Sequence, residues 1–410
     1  MKVNIKNLIL YIVGIMLFHS TIVNYYYVTN YKLFSILFGI VVFLYISTKI
    51  KCIFISKYNK LNYSIIVFSI LAIISSLMNS FYNIDGTLFF ILKFINLFFF
   101  FEYANERNKT KEVAKLYFFL LLFYNLVTLY MITNIPYLAY SHNYNYPFYS
   151  SKFTLSYSSM VMCSLFYFVY NKEVKKYAVF KLFGLLLLSI SIYSINLVGC
   201  MTGVIGMILF IFLLAFPFQK LKSFMANTKS VFSIIILSSF MLILFYDVLI
   251  KIPIIENLIV NVLDKSLTLS GRSVVYEKIL DYILSLKGLT FGYAYDGVVR
   301  VFKNIMYISY NYYALNAQNA LFEIWMYFGL IGTIIFLLIV AKIYEGNNKN
   351  LAYFHSVIII AFILIFLGMV EITYSFPLFL ALAIINVEKK NEKSVEIEEY
   401  RNDKKIVRKE

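Results

Sequence analysis

Long apolar runs separated by short polar clusters make up most of this chain. Crossing a bilayer core takes a helix of about 17 to 25 apolar residues. Runs of that kind fall near 7–28, 32–50, 62–80, 86–102, 115–134 and 153–170, and again near 182–198, 201–217, 231–250, 319–341, 352–370 and 374–387. The pattern predicts about 12 transmembrane helices, the last short enough to tilt little or to pack against its neighbours. One stretch breaks the rhythm. From Lys251 to Gln318 polar positions are too dense for a span, and loops this long usually carry structure or function of their own. Within it Val275, Ile279, Tyr282, Ile283 and Leu286 recur at helical spacing after Ser270 and Gly271, predicting an amphipathic helix over 272–286 capped by Ser270.

Direction comes from the Lys and Arg residues of short loops, which resist translocation and stay in the cytosol. Lys49, Lys51, Lys57 and Lys60 mark one such loop, Arg107, Lys109, Lys111 and Lys115 the next, then Lys172, Lys175 and Lys176, then Lys220, Lys222 and Lys229. The weakly charged connections between them, Tyr25–Tyr31, Asn83–Gly86, Ile135–Lys152 and a tight turn near Gly199, fall on the other side. The same parity places both termini in the cytosol and 251–318 outside. The expected organisation is an all-α polytopic protein of the cytoplasmic membrane: helices 1 to 9 over 1–250, a large extracytoplasmic loop over 251–318, helices 10 to 12 over 319–387, and a charged cytoplasmic tail over 388–410, read as disordered. Lys2 and Lys6 precede a first apolar run without an evident cleavage site, read as an uncleaved first helix.

Composition sharpens the class. Hydrophobic residues make up 61% and charged residues 14%, against about one quarter charged in a soluble domain. The net charge of +16 is dispersed between apolar runs instead of forming one basic face, so nucleic acid is not the expected partner. Cys52, Cys163 and Cys200 have no metal-ligand spacing and make no disulfide framework. No metal and no cofactor are called for, and no Gly-rich nucleotide fingerprint follows a predicted strand.

The candidate chemistry lies in and beside the long loop. Arg is scarce, yet two of the five, Arg272 and Arg300, occur there. At a helix N-terminus a guanidinium and free backbone N–H groups can hold a phosphate together; the plain alternative for Arg272 is a solvated loop residue. Gly288 and Gly292 bracket a short apolar stretch, as turns require. Asn319 and Glu323 share one face at the outer end of the next span. A carboxylate within a membrane is a functional candidate by default, with a structural ion pair as the alternative. Gly329 and Gly332 are expected to allow close helix packing. His142, in the outer loop before Pro147, is a possible proton acceptor or simply a surface residue.

These segments together resemble the O-antigen polymerase and ligase superfamily of membrane glycosyltransferases, the Wzy and WaaL type. Gly271-Arg272 with Tyr276 resembles its external Gly-Arg-aromatic motif. Gly288, Gly292, Gln318-Asn319, Gly329 and Gly332 are similar to the glycine turn, the His-Asn helix start and the glycine pair that follow. Cys200-Met201-Thr202-Gly203 looks like the counterpart of an outer Ser-Arg-Thr-Gly segment, with Met201 where the family has Arg. Gln318 stands where ligases have His, and Gln cannot act as a base; the polymerase branch is therefore the expected one.

The resemblance implies a GT-C-like all-α fold and a donor glycan on undecaprenyl diphosphate, whose lipid lies among the helices. It implies a polymerase of capsule, exopolysaccharide or O-antigen repeat units, working with membrane lipid and alongside a chain-length regulator and a flippase. Arg272 and Glu323 are the catalytic candidates. Arg300, Gln318, Asn319, Tyr293, Tyr276 and His142 are the substrate-binding candidates, with tyrosines packing on sugar rings. The rivals are a ligase-type transferase, a polysaccharide flippase or transporter, for which Gly- or Pro-broken helices are the expected sign, and a non-catalytic assembly or sensor protein.

Overall fold

A computed structural model describes residues 5–23, 31–55, 60–79, 84–135, 148–149, 151–215, 251–257, 260–261, 272–295, 319–344, 376–377 and 379–384, with 233, 236, 237, 239–241, 248, 298, 301, 302 and 386 as isolated positions. Among the described residues the elements are helices, without a strand: α1 (Ile5–Thr21), α2 (Tyr31–Ser47), α3 (Ile50–Ile55), α4 (Lys60–Met78), α5 (Ile84–Glu106), α6 (Thr110–Asn134), α7 (Lys152–Val169), α8 (Asn171–Lys176), α9 (Ala178–Leu197), α10 (Met201–Ala215), α11 (Pro253–Asn257), α12 (Arg272–Ile283), α13 (Leu286–Leu289) and α14 (Ala320–Tyr344). Five of these, α4, α5, α6, α9 and α14, are long and apolar enough to cross a membrane; α1, α2 and α10 are shorter apolar helices.

The chain is an α-helical membrane protein, and its surface agrees with that. Leu33, Phe34, Leu37, Val41 and Leu44 on α2, and Val179, Leu182, Leu185 and Leu186 on α9, point away from the protein. Apolar stripes this continuous do not face water in soluble monomers. The runs expected near 231–250 and 352–370 lie outside the described residues, apart from isolated positions in the first. In the run near 374–387, Phe376 and Phe379–Ile384 are buried against the other helices, in keeping with a short final segment packed on its neighbours.

Helix α7 is the exception to lipid-facing character. It is enclosed by α6, α9 and α10, and Ser156, Ser158, Ser159 and Ser164 are buried within it. Small residues let helices approach closely where no water drives them together. The hydroxyls of Ser159 and Ser164 donate to the carbonyls of Leu155 and Met160 at 3.0 and 2.8 Å, so these polar groups are satisfied within the helix.

Aromatic rings bind the other half. Phe68 of α4 meets Phe328 of α14 edge-on at 5.2 Å, and Phe94 of α5 meets Phe379 at 5.4 Å. Such pairs contribute about 0.5–1.5 kcal/mol each beyond their area. Two ends of the bundle then differ in character. At the basic end Lys109 pairs with Glu112 at 2.5 Å, and Tyr11 donates to the same carboxylate. At the opposite end hydroxyls and amides cross-link helices: Ser35 to the Ser20 carbonyl at 2.9 Å, Ser76 to Thr87 at 2.6 Å, Tyr149 to Asn125 at 2.8 Å. The described candidate residues gather at this second end.

Candidate functional site

Helix α14 begins with a built cap. The Asn319 side-chain oxygen accepts from the backbone N–H groups of Leu321 and Phe322 at 3.0 and 3.3 Å, as an Asn at this position should. Asn319 is fully buried, and among the described residues its Nδ2 finds no hydrogen-bond partner. One turn on, Glu323 is also fully buried, and its carboxylate accepts from the Tyr327 hydroxyl at 2.6 Å. The shared face expected from the spacing is present. A free amide N–H and a carboxylate stand one turn apart in the interior.

Two turns further the helix breaks. Gly329 has φ 69° and ψ −179° inside α14, so beyond allowing the close approach expected of it, against Thr290 O, it interrupts the helix. The interruption removes the usual partners of two carbonyls, because an α-helical carbonyl accepts from four residues ahead. A loop replaces them. Tyr293 N–H donates to Met326 O at 2.6 Å, and Ala294 N–H to Tyr327 O at 3.0 Å, while the Ser75 hydroxyl adds a second bond to Tyr327 O at 2.8 Å. Irregular backbone at membrane depth is tolerated only where protein or a cavity satisfies it. Gly292 makes the contact possible: at φ 74° it lies so close that a Cβ on it would sit 2.4 Å from Gly329 N.

The docking loop is prepared by the segment before it. The amphipathic helix expected over 272–286 ends at Ile283, because Ser285 caps a separate short helix, α13, by accepting from Gly288 N–H at 3.1 Å. Ile279 and Ile283 are buried as the spacing predicted, whereas Leu286, expected on the same face, is exposed at 81%. Ser285 and Tyr293 hydroxyls lie 2.7 Å apart, and the Tyr282 and Tyr293 rings meet edge-on. Trp325 donates its indole N–H to Gly288 O at 3.0 Å. Asn79, just after α4, donates to Gly292 O at 2.8 Å and accepts from Lys287 Nζ at 2.9 Å. Both α12 and α13 pack on α14.

The predicted residues are thus placed as follows. Arg272 is the first residue of α12 and Tyr276 lies one turn into it. Glu323 and Asn319 open α14. Tyr293, expected to meet a sugar, is half-buried and engaged with Ser285 and Tyr282. Arg300, Gln318 and His142 lie outside the described residues, as do Ser270 and Gly271. Met201, Thr202 and Gly203 begin α10, away from this loop, with Gly203 against Ser156 of α7. Sequence reasoning missed Ser75, Asn79, Trp325 and Tyr327. Polar residues ending one span and aromatics beginning another gave a weak signal, and nothing in the order of the chain pairs 75–79 with 292–327.

No family model matches this chain, and neither do the curated proteins or the solved structures compared with it. The site is defined by its own geometry: a polar helix start and a broken helix, held by a two-helix segment folded onto them.

Proposed function

We propose that this protein is a membrane glycosyltransferase that polymerises oligosaccharide repeat units carried on a polyprenyl diphosphate, at the outer face of the cytoplasmic membrane. In this reading about 12 helices span the bilayer, with the lysine-rich loops and both termini in the cytosol. One observation carries it: α12, which opens with Arg272, packs with α13 onto α14, whose first turn holds Asn319 and Glu323. Two of the stretches that carry the family resemblance pack together.

The chemistry follows from the residue types. An acceptor hydroxyl attacks the anomeric carbon of the donor glycan, and the bond to the diphosphate breaks. Arg272, with Arg300, neutralises the departing diphosphate by charge-assisted hydrogen bonds, which are about twice as strong as neutral ones. Glu323 accepts the proton of the attacking hydroxyl or orients it. Asn319 has a buried N–H free for a sugar hydroxyl, and Gln318, Tyr276, Tyr293 and His142 complete the saccharide contacts. The free energy resides in the lipid diphosphate, so no cofactor is needed. Membrane-bound undecaprenyl-diphosphate-linked oligosaccharide is the donor, and a flippase that delivers it and a chain-length regulator are the natural protein partners.

A transporter is the second reading, favoured by the break at Gly329, since broken helices line transport sites. The freed carbonyls of Met326 and Tyr327, however, are already taken by Tyr293, Ala294 and Ser75. The glycan ladder of a deletion strain separates the two. Complementation with wild type restores polymer, and Arg272→Ala and Glu323→Gln, at normal membrane levels, leave single lipid-linked repeats. Full-length polymer from both variants sinks these roles, and full-length polymer in the deletion itself sinks the polymerase.

A further inference from the structure

At the polar end of the bundle, on the flank of α5, a cavity of about 350 Å³ opens between the ends of α1, α2, α5 and α7. Lys93 lines it, from within a run that otherwise reads as a membrane span. Its ammonium sits 4.1 Å from the centroid of the Phe89 ring and 5.4 Å from that of Phe376. Among the described residues no carboxylate lies within ion-pair distance of it. Lys32 and Asp85 also line the cavity, both exposed, with Asp85 in the first turn of α5. Lysines outnumber carboxylates there. Thr21 and Ser35 donate their hydroxyls to the carbonyls of Leu17 and Ser20 at 2.7 and 2.9 Å, so they present lone pairs, and the two lysines are the strong donors in the space, Lys93 the deeper-set of them.

A cation over aromatic rings gains about 0.5–2 kcal/mol. Removing an ammonium from water costs several kcal/mol even after relaxation. Lys93 is half-buried; the rings offset part of its desolvation, and an anion entering the cavity would offset the rest. The walls decide what kind of anion. Ile36, Phe89 and Phe376 line the same space, and Ile36 is also exposed on the outer surface of α2. A small charged head can meet Lys93 while an apolar chain leaves past α2 into lipid.

We propose that this cavity binds the phosphate head of a lipid, with Lys93 as the principal contact. The chemistry rests on the cavity alone; only the identity of the natural lipid, a polyprenyl phosphate or diphosphate, rests on the polymerase reading. The placement suits that role. Phe90, next to Phe89, packs on Tyr295 and Phe328 at 5.8 and 5.9 Å, and Tyr295 packs on Tyr327, which donates to Glu323. A relay of ring contacts thus runs from Phe90, next to the cavity-lining Phe89, to the tyrosine that bonds the buried carboxylate.

The test is binding of radiolabelled farnesyl diphosphate to the purified full chain in detergent, with farnesol and inorganic diphosphate as competitors. Farnesyl diphosphate is expected to bind and farnesol not to compete. Lys93→Met should weaken binding about tenfold or more at an unchanged melting temperature, and Lys93→Arg by about threefold or less. Ile36→Trp fills the cavity from its lipid side with Lys93 intact and should also abolish binding, which keeps the test decisive if Lys93→Met fails to fold. Unchanged binding in Lys93→Met or Ile36→Trp, no binding to wild type, or competition by farnesol overturns the proposal. Inorganic diphosphate competing as well as the lipid overturns the lipid source and leaves a free-anion site. Polymer in the deletion strain ends the polymerase reading without touching these binding results.

Discussion

Gly329 holds a positive-φ, extended backbone inside an apolar helix, a conformation that costs an L side chain about 1–3 kcal/mol. A Cβ there would lie 2.0 Å from Thr290 O, so the docked loop must also move. Gly329→Ala is expected to lose about 2–4 kcal/mol of stability. In a Cys52→Ser background the remaining cysteines, Cys163 and Cys200, are buried, so a thiol-reactive dye reports the melting of detergent-solubilised protein, and an unchanged melting temperature would show that the break is not fixed by the glycine. Ala294 provides the opposite case. It is held at φ 63° by its bond to Tyr327 O, so Ala294→Gly relieves strain at the cost of chain entropy, and stability should stay within about 1 kcal/mol of wild type.

At the scale of elements, the loop after α13 is held to α4 by Asn79, which bonds Ser75 O and Gly292 O and accepts from Lys287. Asn79→Ala leaves the Gly292 carbonyl and the Lys287 ammonium without this partner, at about 1–3 kcal/mol. Amide hydrogen exchange should rise across 286–295 and stay unchanged in α6 and α7; no local change would mean that the backbone bonds to Met326 and Tyr327 hold the loop unaided. This docking is the part of the site least legible in the sequence. Glycines at 288 and 292 predicted turns; Gly292 completes one at φ 74°, whereas Gly288 lies within the short helix α13. Their seat on a broken helix was hidden because Gly329 lies in an uninterrupted apolar run, where a glycine reads equally well as a packing residue.

For the whole molecule, the arrangement of lysine-rich and polar ends predicts which side each faces. In a Cys52→Ser background, whose remaining cysteines are buried, Leu286→Cys should react with a membrane-impermeant maleimide in intact cells. Lys175→Cys, in α8, should react only after permeabilisation. Labelling in the reverse order would invert the topology and take the proposed extracytoplasmic chemistry with it. Leu284, Leu286 and Leu289 are exposed around α13, a surface suited to the boundary between lipid and water, where apolar side chains beside Lys287 can enter the head-group layer.

Among the described residues, hydrophobic periodicity and length were enough to locate eight helices before residue 216 and α14 after it, because a membrane span must satisfy its own backbone and so betrays itself in a local run of apolar residues. The pairing of Asn319 with Glu323 was legible for the same reason, being a matter of one helical turn. Tertiary structure decided the rest. It ended α12 at Ile283, where a serine cap competes with helical continuation. It set Tyr293 and Ala294 on the carbonyls of α14, and it enclosed Lys93 between rings beside a cavity. Lys93 could have been singled out from the sequence as an ionisable residue within a span. Whether such a residue meets a carboxylate, water or an empty space depends on which helices touch, and apolar runs carry no record of their partners.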